Sequence, residues 1–185
     1  MLGYAVSASA VSDLLVSCKQ QASLDWQPVF LTNNQAALIG DIAETILPET
    51  DTPGAKSLGV PQFIDKMLKD LLTEADQKEF IAGLESFETD CRSGRGKNFE
   101  SLTQEEKESF LVEQDKASPG FPISMWGINL DPNPAPITFY RRLKSLTLMG
   151  YFTSEQVGKE QLVYDPIPGG YQGCIPQDDQ NAWTE

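Results

Sequence analysis

The side chains that could perform acid–base or nucleophilic chemistry are few in this chain of 185 residues. It contains no histidine. This excludes Ser-His-Asp and Cys-His nucleophile systems and most catalytic zinc sites, all of which depend on an imidazole. Two carboxylate pairs remain as candidates, Glu49 with Asp51 and Asp65 with Asp70. They lie where solvated turn and helix-face charges are expected, so catalysis by the chain alone is the weakest interpretation.

The three cysteines, Cys18, Cys91 and Cys174, lie far apart and have no metal-type CxxC spacing. The stretch 1–18 is small, apolar and rich in serine, and Leu15-Val16-Ser17-Cys18 has the form of a lipoprotein cleavage box. It predicts an export signal with Cys18 as the lipidation candidate. No Lys or Arg precedes the apolar part, however, so a buried N-terminal helix with Cys18 as a small core residue is the alternative.

In an exported chain, Cys91 and Cys174 would face an oxidising compartment. We expect them to form a disulfide that ties the C-terminal arm to the third helix, worth ~4 kcal/mol in the chain-entropy description. A bond from Cys174 to a partner subunit is the open alternative.

The charge of the chain excludes some partners. The sequence has 14 Lys and Arg against 27 Asp and Glu, a net charge of -13. Nucleic acid is excluded because little would neutralise its phosphates, and so is adhesion to anionic lipid head groups. No apolar run approaches the ~20 residues that span a bilayer.

Helical periodicity dominates the sequence, and strand signals are scarce. Capping boxes at Thr32–Gln35 and Thr103–Glu106 predict two helix starts, and Thr73 predicts a third. We predict an all-α single domain of four to five helices over residues 31–176, with a linker at 19–30 and an acidic tail at 177–185. The predicted helices cover residues 32–47, 60–72, 74–91, 104–112 and 137–149, and the last one stops at Gly150.

Two irregular segments interrupt this pattern. Asp115–Pro136 holds five prolines and is predicted as a long loop, and Tyr151–Pro176 is predicted as an irregular C-terminal arm that becomes rich in Pro and Gly. Aromatic residues in such segments are typical of contact surfaces. The candidates for a partner interface are Phe121, Trp126, Tyr151, Phe152, Tyr164 and Tyr171. We expect the basic cluster Arg141, Arg142 and Lys144 to pair with acidic groups of the same domain.

Several stretches, taken in order, resemble the gluconate 2-dehydrogenase subunit 3 family. The resemblance covers residues 31–176 and rests on the order and spacing of its parts. The matching stretches are IAETILP at 42–48, TPGA at 52–55, GVPQFID at 59–65, FY at 139–140, LTLMGYFTS at 146–154 and YDPIPGGYQGC at 164–174.

The resemblance implies a non-catalytic accessory subunit that supports folding, export or stability of a flavoprotein. In such complexes a large subunit of the glucose-methanol-choline oxidoreductase type holds FAD, and a cytochrome c subunit with haem often carries the electrons onward. No cofactor would then be bound by this chain, and its location would be periplasmic and membrane-associated. The alternative is a free-standing periplasmic lipoprotein that binds a small ligand.

Overall fold

The computed structural model describes residues 24–120, 124–125, 128–129 and 135–163. Within them, six α-helices, one 3-10 turn and one antiparallel ribbon follow in order. They are α1 (Asn33–Ile46), α2 (Val60–Leu71), α3 (Glu74–Arg95), the 3-10 turn (Phe99–Ser101), α4 (Gln104–Ala117), β1 (Ser124–Met125), β2 (Ile128–Asn129), α5 (Phe139–Phe152) and α6 (Glu155–Glu160). The predicted all-α class is confirmed. Helix α6, however, lies within the stretch after Tyr151 that was predicted to be irregular, and the Ser154 hydroxyl caps it by accepting from the Val157 N–H.

The helix starts follow local sequence chemistry. Both predicted capping boxes are present, at Thr32–Gln35 and at Thr103–Glu106, and the Thr73 hydroxyl accepts from the Asp76 N–H. Each of these side chains satisfies a backbone donor that the first turn leaves without an intrahelical partner. The three predicted helix starts are therefore confirmed.

Three predicted helix ends are wrong. The third helix was predicted to end at Cys91, but α3 continues to Arg95 and ends at Gly96, whose φ of 69° is the left-handed conformation glycine allows. Arg92 and Arg95 lie in its last turn, where positive charge favours the helix dipole. The long loop was predicted to begin at Asp115, but α4 runs on to Ala117. We also expected the last long helix to stop at Gly150, but α5 runs on to Phe152.

Helix α5 lies at the centre of the packing and contacts α1, α2, α3, α4 and α6. Its Tyr140, Leu143 and Tyr151 belong to the buried core. An aromatic cluster fills the space between α3, α4, α5 and the 3-10 turn, with ring centroids 5.0–6.3 Å apart. Its members are Phe80, Phe87, Phe99, Phe110 and Phe139. Burial of such rings supplies much of the free energy that holds the helices together.

Two glycines let α5 approach its neighbours closely. A Cβ at Gly150 would lie 2.7 Å from Cδ1 of Phe63 on α2, and a Cβ at Gly83 on α3 would lie 2.5 Å from Cβ of Phe139. Neither distance is sterically possible unless the neighbouring side chain or its helix shifts. Gly150 lies inside α5 and serves helix packing.

Helical spacing along the sequence overestimates two buried faces. It puts Leu71 on the apolar face of α2 and Val112 beside Phe110 and Leu111 on α4, but the exposed fractions of Leu71 and Val112 are 70% and 50%. Leu71 is the final residue of its helix, where the chain already turns toward α3. A helical repeat identifies a face, but it does not tell how far the neighbouring helices extend along that face.

Residues 24–31 precede α1 and pack against the core through several bends; we call them the strap. Exposure alternates along the strap, and Leu24, Trp26 and Phe30 pack on the core while Val29 remains 52% exposed. The strap includes most of the predicted linker, and it is attached to the domain.

Substitution of the packing glycine tests the close contact of α2 and α5. We expect Gly150→Ala to lower the free energy of unfolding by about 1–3 kcal/mol, because the added methyl group overlaps the Phe63 ring. The measurement is equilibrium urea unfolding. Gly94→Ala is the matched control, since Gly94 is also helical but has no atom within 4 Å of an added Cβ. Gly94→Ala should raise the free energy of unfolding by about 0.5–1 kcal/mol. An equal rise for Gly150→Ala would contradict the close contact of α2 and α5.

Candidate functional site

The carboxylates that were considered for catalysis have different environments. Glu49 and Asp51 are on the exposed turn after α1, and Asp70 is exposed on α2. Asp65, however, is 1% exposed, so its prediction as a solvated charge is wrong. Its position beside Pro61, Ile64 and Leu68 on the buried face of α2 is the sequence signal that could have indicated this.

Asp65 binds the backbone of the strap. Its Oδ2 accepts from the Val29 N–H at 2.6 Å, and its Oδ1 accepts from the Phe30 and Leu31 N–H groups at 3.1 and 2.8 Å. Lys69, one turn further along α2, donates from Nζ to the Val29 carbonyl at 3.2 Å. Three donors satisfy the buried negative charge. Asp65 therefore attaches the strap to α2 and is not available as a general base.

Glu44 has a similar task at the other end of α1. Its Oε1 accepts from the Glu49 N–H at 2.9 Å and its Oε2 from the Lys56 N–H at 2.8 Å. A Cβ at Gly54 would lie 2.3 Å from Oε1, so only glycine leaves room for the carboxylate. One side chain thereby holds both ends of the turn 48–56. The stretches IAETILP and TPGA noted above lie at this carboxylate and the turn it holds.

The two aromatic residues at the end of α5 have different exposures. Tyr151 is 7% exposed and packs in the core, whereas Phe152 is 49% exposed and meets the Tyr151 ring edge-on, with centroids 5.3 Å apart. Met149, which was not among the predicted interface residues, is also 49% exposed. Residues three apart are neighbours on a helix surface. Met149 and Phe152 thus form an exposed apolar pair, which we call the α5 patch.

The long loop leaves and re-enters the domain at one place. The Thr138 hydroxyl donates to the Ser118 hydroxyl at 2.8 Å, and a guanidinium N–H of Arg141 donates to the Ser118 carbonyl at 3.2 Å. Arg141 and Lys144 both pair with the Asp115 carboxylate, at 3.3 and 2.8 Å. The expected pairing of the basic cluster with acidic groups of its own domain is confirmed for these two residues.

Two titratable groups near this junction have shifted pKa values. The hydrogen bond from Lys144, together with the charges of Lys144 and Arg141, holds the pKa of Asp115 below its usual value, and burial opposes this only in part. Burial raises the pKa of Tyr140 to about 12, and the nearby negative charge of Asp115 adds to the rise. Asp115 is therefore charged and Tyr140 neutral near pH 7.

Two open grooves lie on the described surface. One, of about 410 Å³, lies between α1, α4 and α5 and is lined by Thr45, Ile46, Glu108, Leu111, Val112, Asp115, Lys116, Tyr140 and Lys144. The other, of about 520 Å³, lies between Phe30 of the strap and the first half of α3. Both are open to solvent, so neither encloses a small molecule in the way that a cofactor pocket does.

The remaining predicted residues are placed as follows. Cys91 is a free, buried thiol that donates to the Lys97 carbonyl at 3.6 Å, and burial raises its pKa. The lipidation candidate Cys18 and the disulfide partner Cys174 lie outside the described residues, so both predictions remain predictions. The interface candidates Phe121, Trp126, Tyr164 and Tyr171 also lie outside them.

The described residues contain neither a metal-binding cluster nor a membrane-spanning helix. Among these residues, no group of three or more Cys, Asp or Glu side chains is placed to hold a metal ion. No helix in the same part of the chain has the length and apolarity to cross a bilayer.

Fold and surface together define a small all-α domain whose described part offers exposed apolar side chains and open grooves. A family model described as gluconate 2-dehydrogenase subunit 3 matches residues 33–169, and the chain belongs to this family. The resemblance found in the sequence is thereby confirmed, and membership implies partner subunits. Neither a curated protein nor a solved structure gives a match.

Replacement of the buried carboxylate tests the attachment of the strap. We expect Asp65→Asn to lower the free energy of unfolding by about 2–4 kcal/mol, because asparagine offers one acceptor oxygen and sets an NH₂ group against backbone donors. Asp70→Asn, an exposed change on the same helix, should alter it by less than about 0.5 kcal/mol. Equal effects of the two substitutions in urea unfolding would contradict the assignment.

The pKa of Asp115 predicts a pH dependence. A carboxyl pKa that is lower in the folded chain stabilises the fold above the unfolded value of about 3.9, and this contribution is lost as pH falls through the folded value. The stability difference between the unsubstituted chain and Asp115→Asn should thus be constant from pH 7 to 5. It should shrink below pH about 4. Urea unfolding across this range measures it, and a difference that grows on acidification would refute the ion-pair account.

Proposed function

We propose that this chain is the non-catalytic accessory subunit of a gluconate 2-dehydrogenase-like oxidoreductase complex. Family membership over residues 33–169 is the observation that carries the proposal. Its catalytic partner would be an FAD-binding subunit of the glucose-methanol-choline type, with a cytochrome c subunit as a further electron carrier. FAD and haem would belong to those partners, and this chain would support folding, export or stability of the flavoprotein.

The chemistry of the described residues agrees with a supporting role. The one deeply buried carboxylate, Asp65, is engaged by three backbone donors. Tyr140, with a pKa of about 12, is a poor proton donor or acceptor near neutral pH. These groups have structural tasks, and acid–base catalysis needs groups that are free to exchange protons.

The α5 patch is the part of the described surface that best fits a contact with the flavoprotein. Met149 and Phe152 are each 49% exposed, and the Tyr151 ring supports Phe152 from within the core. Aromatic and methionine side chains are enriched at protein interfaces, and an anchor that is already held in place loses little entropy on binding. Phe152 of the patch belongs to the stretch 151–176 that was predicted as the C-terminal arm, and α6 follows it directly.

We further propose a periplasmic location with attachment to the membrane through a lipid on Cys18. This rests on the cleavage-box form of residues 15–18. A free-standing ligand-binding lipoprotein is the alternative function. The two grooves named above give it little support, because both are open whereas small ligands are held in enclosed pockets.

A charge placed in the α5 patch tests the proposed contact. We expect Phe152→Asp to reduce the flavoprotein that co-purifies with the tagged chain by at least about tenfold, because a buried, unpaired carboxylate opposes association. Flavin absorbance per tagged chain is the measurement. Val112→Asp is the matched control, since Val112 is 50% exposed on α4, which packs on α1 and α5. Flavin that is absent even with the unsubstituted chain would refute the accessory function itself.

A further inference from the structure

The face of α5 that points away from the core has a regular pattern of its own. Arg142, Ser145, Met149 and Phe152 follow one another at spacings of three, four and three residues. At about 100° per residue, these positions lie within about 80° of one another around the helix. The buried residues of α5, from Tyr140 to Tyr151, lie on the opposite side. The four outward residues form one strip that includes the α5 patch, and we call this strip the α5 seam.

The α5 seam is open to solvent in the described chain. Ser145, Met149 and Phe152 are exposed, and Arg142 is half-buried. Alternating spacings of three and four residues are those of the a and d positions through which one helix packs along another. The small Ser145 lies between Arg142 and Met149, so a second helix axis can come close at this point. The seam therefore has the spacing and the shape that suit a helix as its occupant.

Arg142 gives the seam a positive charge that has no counter-ion in the described chain. Its neighbours Arg141 and Lys144 both pair with Asp115, at 3.3 and 2.8 Å. No carboxylate of the residues that the structure describes pairs with Arg142 itself. A guanidinium that enters an interface loses its solvation, and acceptors on the partner must compensate for that loss. A carboxylate is the acceptor that matches its planar set of donors.

We propose that the α5 seam receives an amphipathic helix of the flavoprotein, with an Asp or Glu of that helix bound to Arg142. The inference rests on the proposed contact between the α5 patch and the flavoprotein, and it specifies the element and the charge that the partner contributes. Met149 and Phe152 pack among apolar side chains of the partner helix, and Ser145 allows the two axes to approach to about 8 Å. The pair with Arg142 fixes the register of the two helices, because this chain of net charge -13 offers a carboxylate few other favourable positions.

Charge substitutions at Arg142 test the pair. We expect Arg142→Glu to reduce the flavin that co-purifies with the tagged chain by at least about tenfold, because two carboxylates would then face each other. Arg142→Lys keeps the charge and should lose no more than about threefold. The urea midpoint of both variants should remain that of the unsubstituted chain, since Arg142 has no ion pair within the described fold to lose.

Lys78→Glu is the matched control for net charge. Lys78 is exposed on α3, and α3 makes its close contact with α5 at Gly83. Lys78 lies about 140° around α3 from Gly83, so it points away from α5. Lys78→Glu should therefore leave the co-purified flavin unchanged. An equal loss of flavin in Lys78→Glu and Arg142→Glu would contradict a specific pair.

Arg142→Lys also allows the partner element to be identified. A carbodiimide joins an amine directly to a carboxylate in salt-bridge contact, with loss of water and without a spacer. In the complex of this variant we expect a cross-link from position 142 to an Asp or Glu of the flavoprotein that lies on a helix with apolar residues at three- and four-residue spacing. The unsubstituted complex has no amine at position 142 and is the control. A cross-link to a non-helical segment, or none from position 142 while flavin is bound, would overturn the inference.

The outcomes separate this inference from the proposed function. Flavin that is lost in Phe152→Asp but retained in Arg142→Glu leaves the α5 patch as the contact and refutes the paired charge. Flavin that is absent with the unsubstituted chain refutes the accessory function, and this inference with it. A second copy of the chain is the alternative occupant, and light scattering of the isolated chain detects it. A dimer that Arg142→Glu converts to a monomer would assign the α5 seam to a second copy and refute the proposal.

Discussion

The close approach of α5 to its neighbours is the constraint on which the rest of this domain depends. α5 contacts all five other helices of the described chain. Gly150 permits this at Phe63 of α2, and Gly83 of α3 permits it at Phe139. Larger residues would separate the helices and leave gaps around the aromatic cluster, and such gaps cost free energy because interiors are close-packed. The same contacts support Tyr151 in the core, and through it the exposed Phe152.

Buried and half-buried carboxylates fix the segments that the helices leave free. Asp65 holds the strap by its backbone, and Glu44 holds the turn 48–56 at both ends. Neither interaction requires a particular side chain on the segment it holds, except for Gly54, where a Cβ would collide with Glu44. In an acidic chain, part of the negative charge is therefore structural. Asp65, which was considered for catalysis, has such a structural task.

Family membership and the positions of the exposed apolar side chains both support the proposed function. The family model covers residues 33–169, and these include all six helices. Among the exposed large apolar side chains of the described residues, Met149 and Phe152 lie together in the α5 patch. Family membership implies partner subunits, and this pair is the contact surface proposed for one of them.

The sequence by itself determined the helical class, three helix starts and the family, because capping chemistry and periodicity act within a few residues. It also indicated the pairing of Arg141 and Lys144 with the domain's own acids, although not the identity of Asp115. Tertiary structure decided that Gly150 lies inside α5, that the strap covers Asp65, and that Leu71 is exposed. Each of these depends on which element lies opposite the residue. Spacing along one helix can mark the face of a residue, as it does for Asp65, but it does not tell what covers that face. The division of Tyr151 and Phe152 into a core residue and a surface residue has the same cause, since neighbours along a helix point about 100° apart.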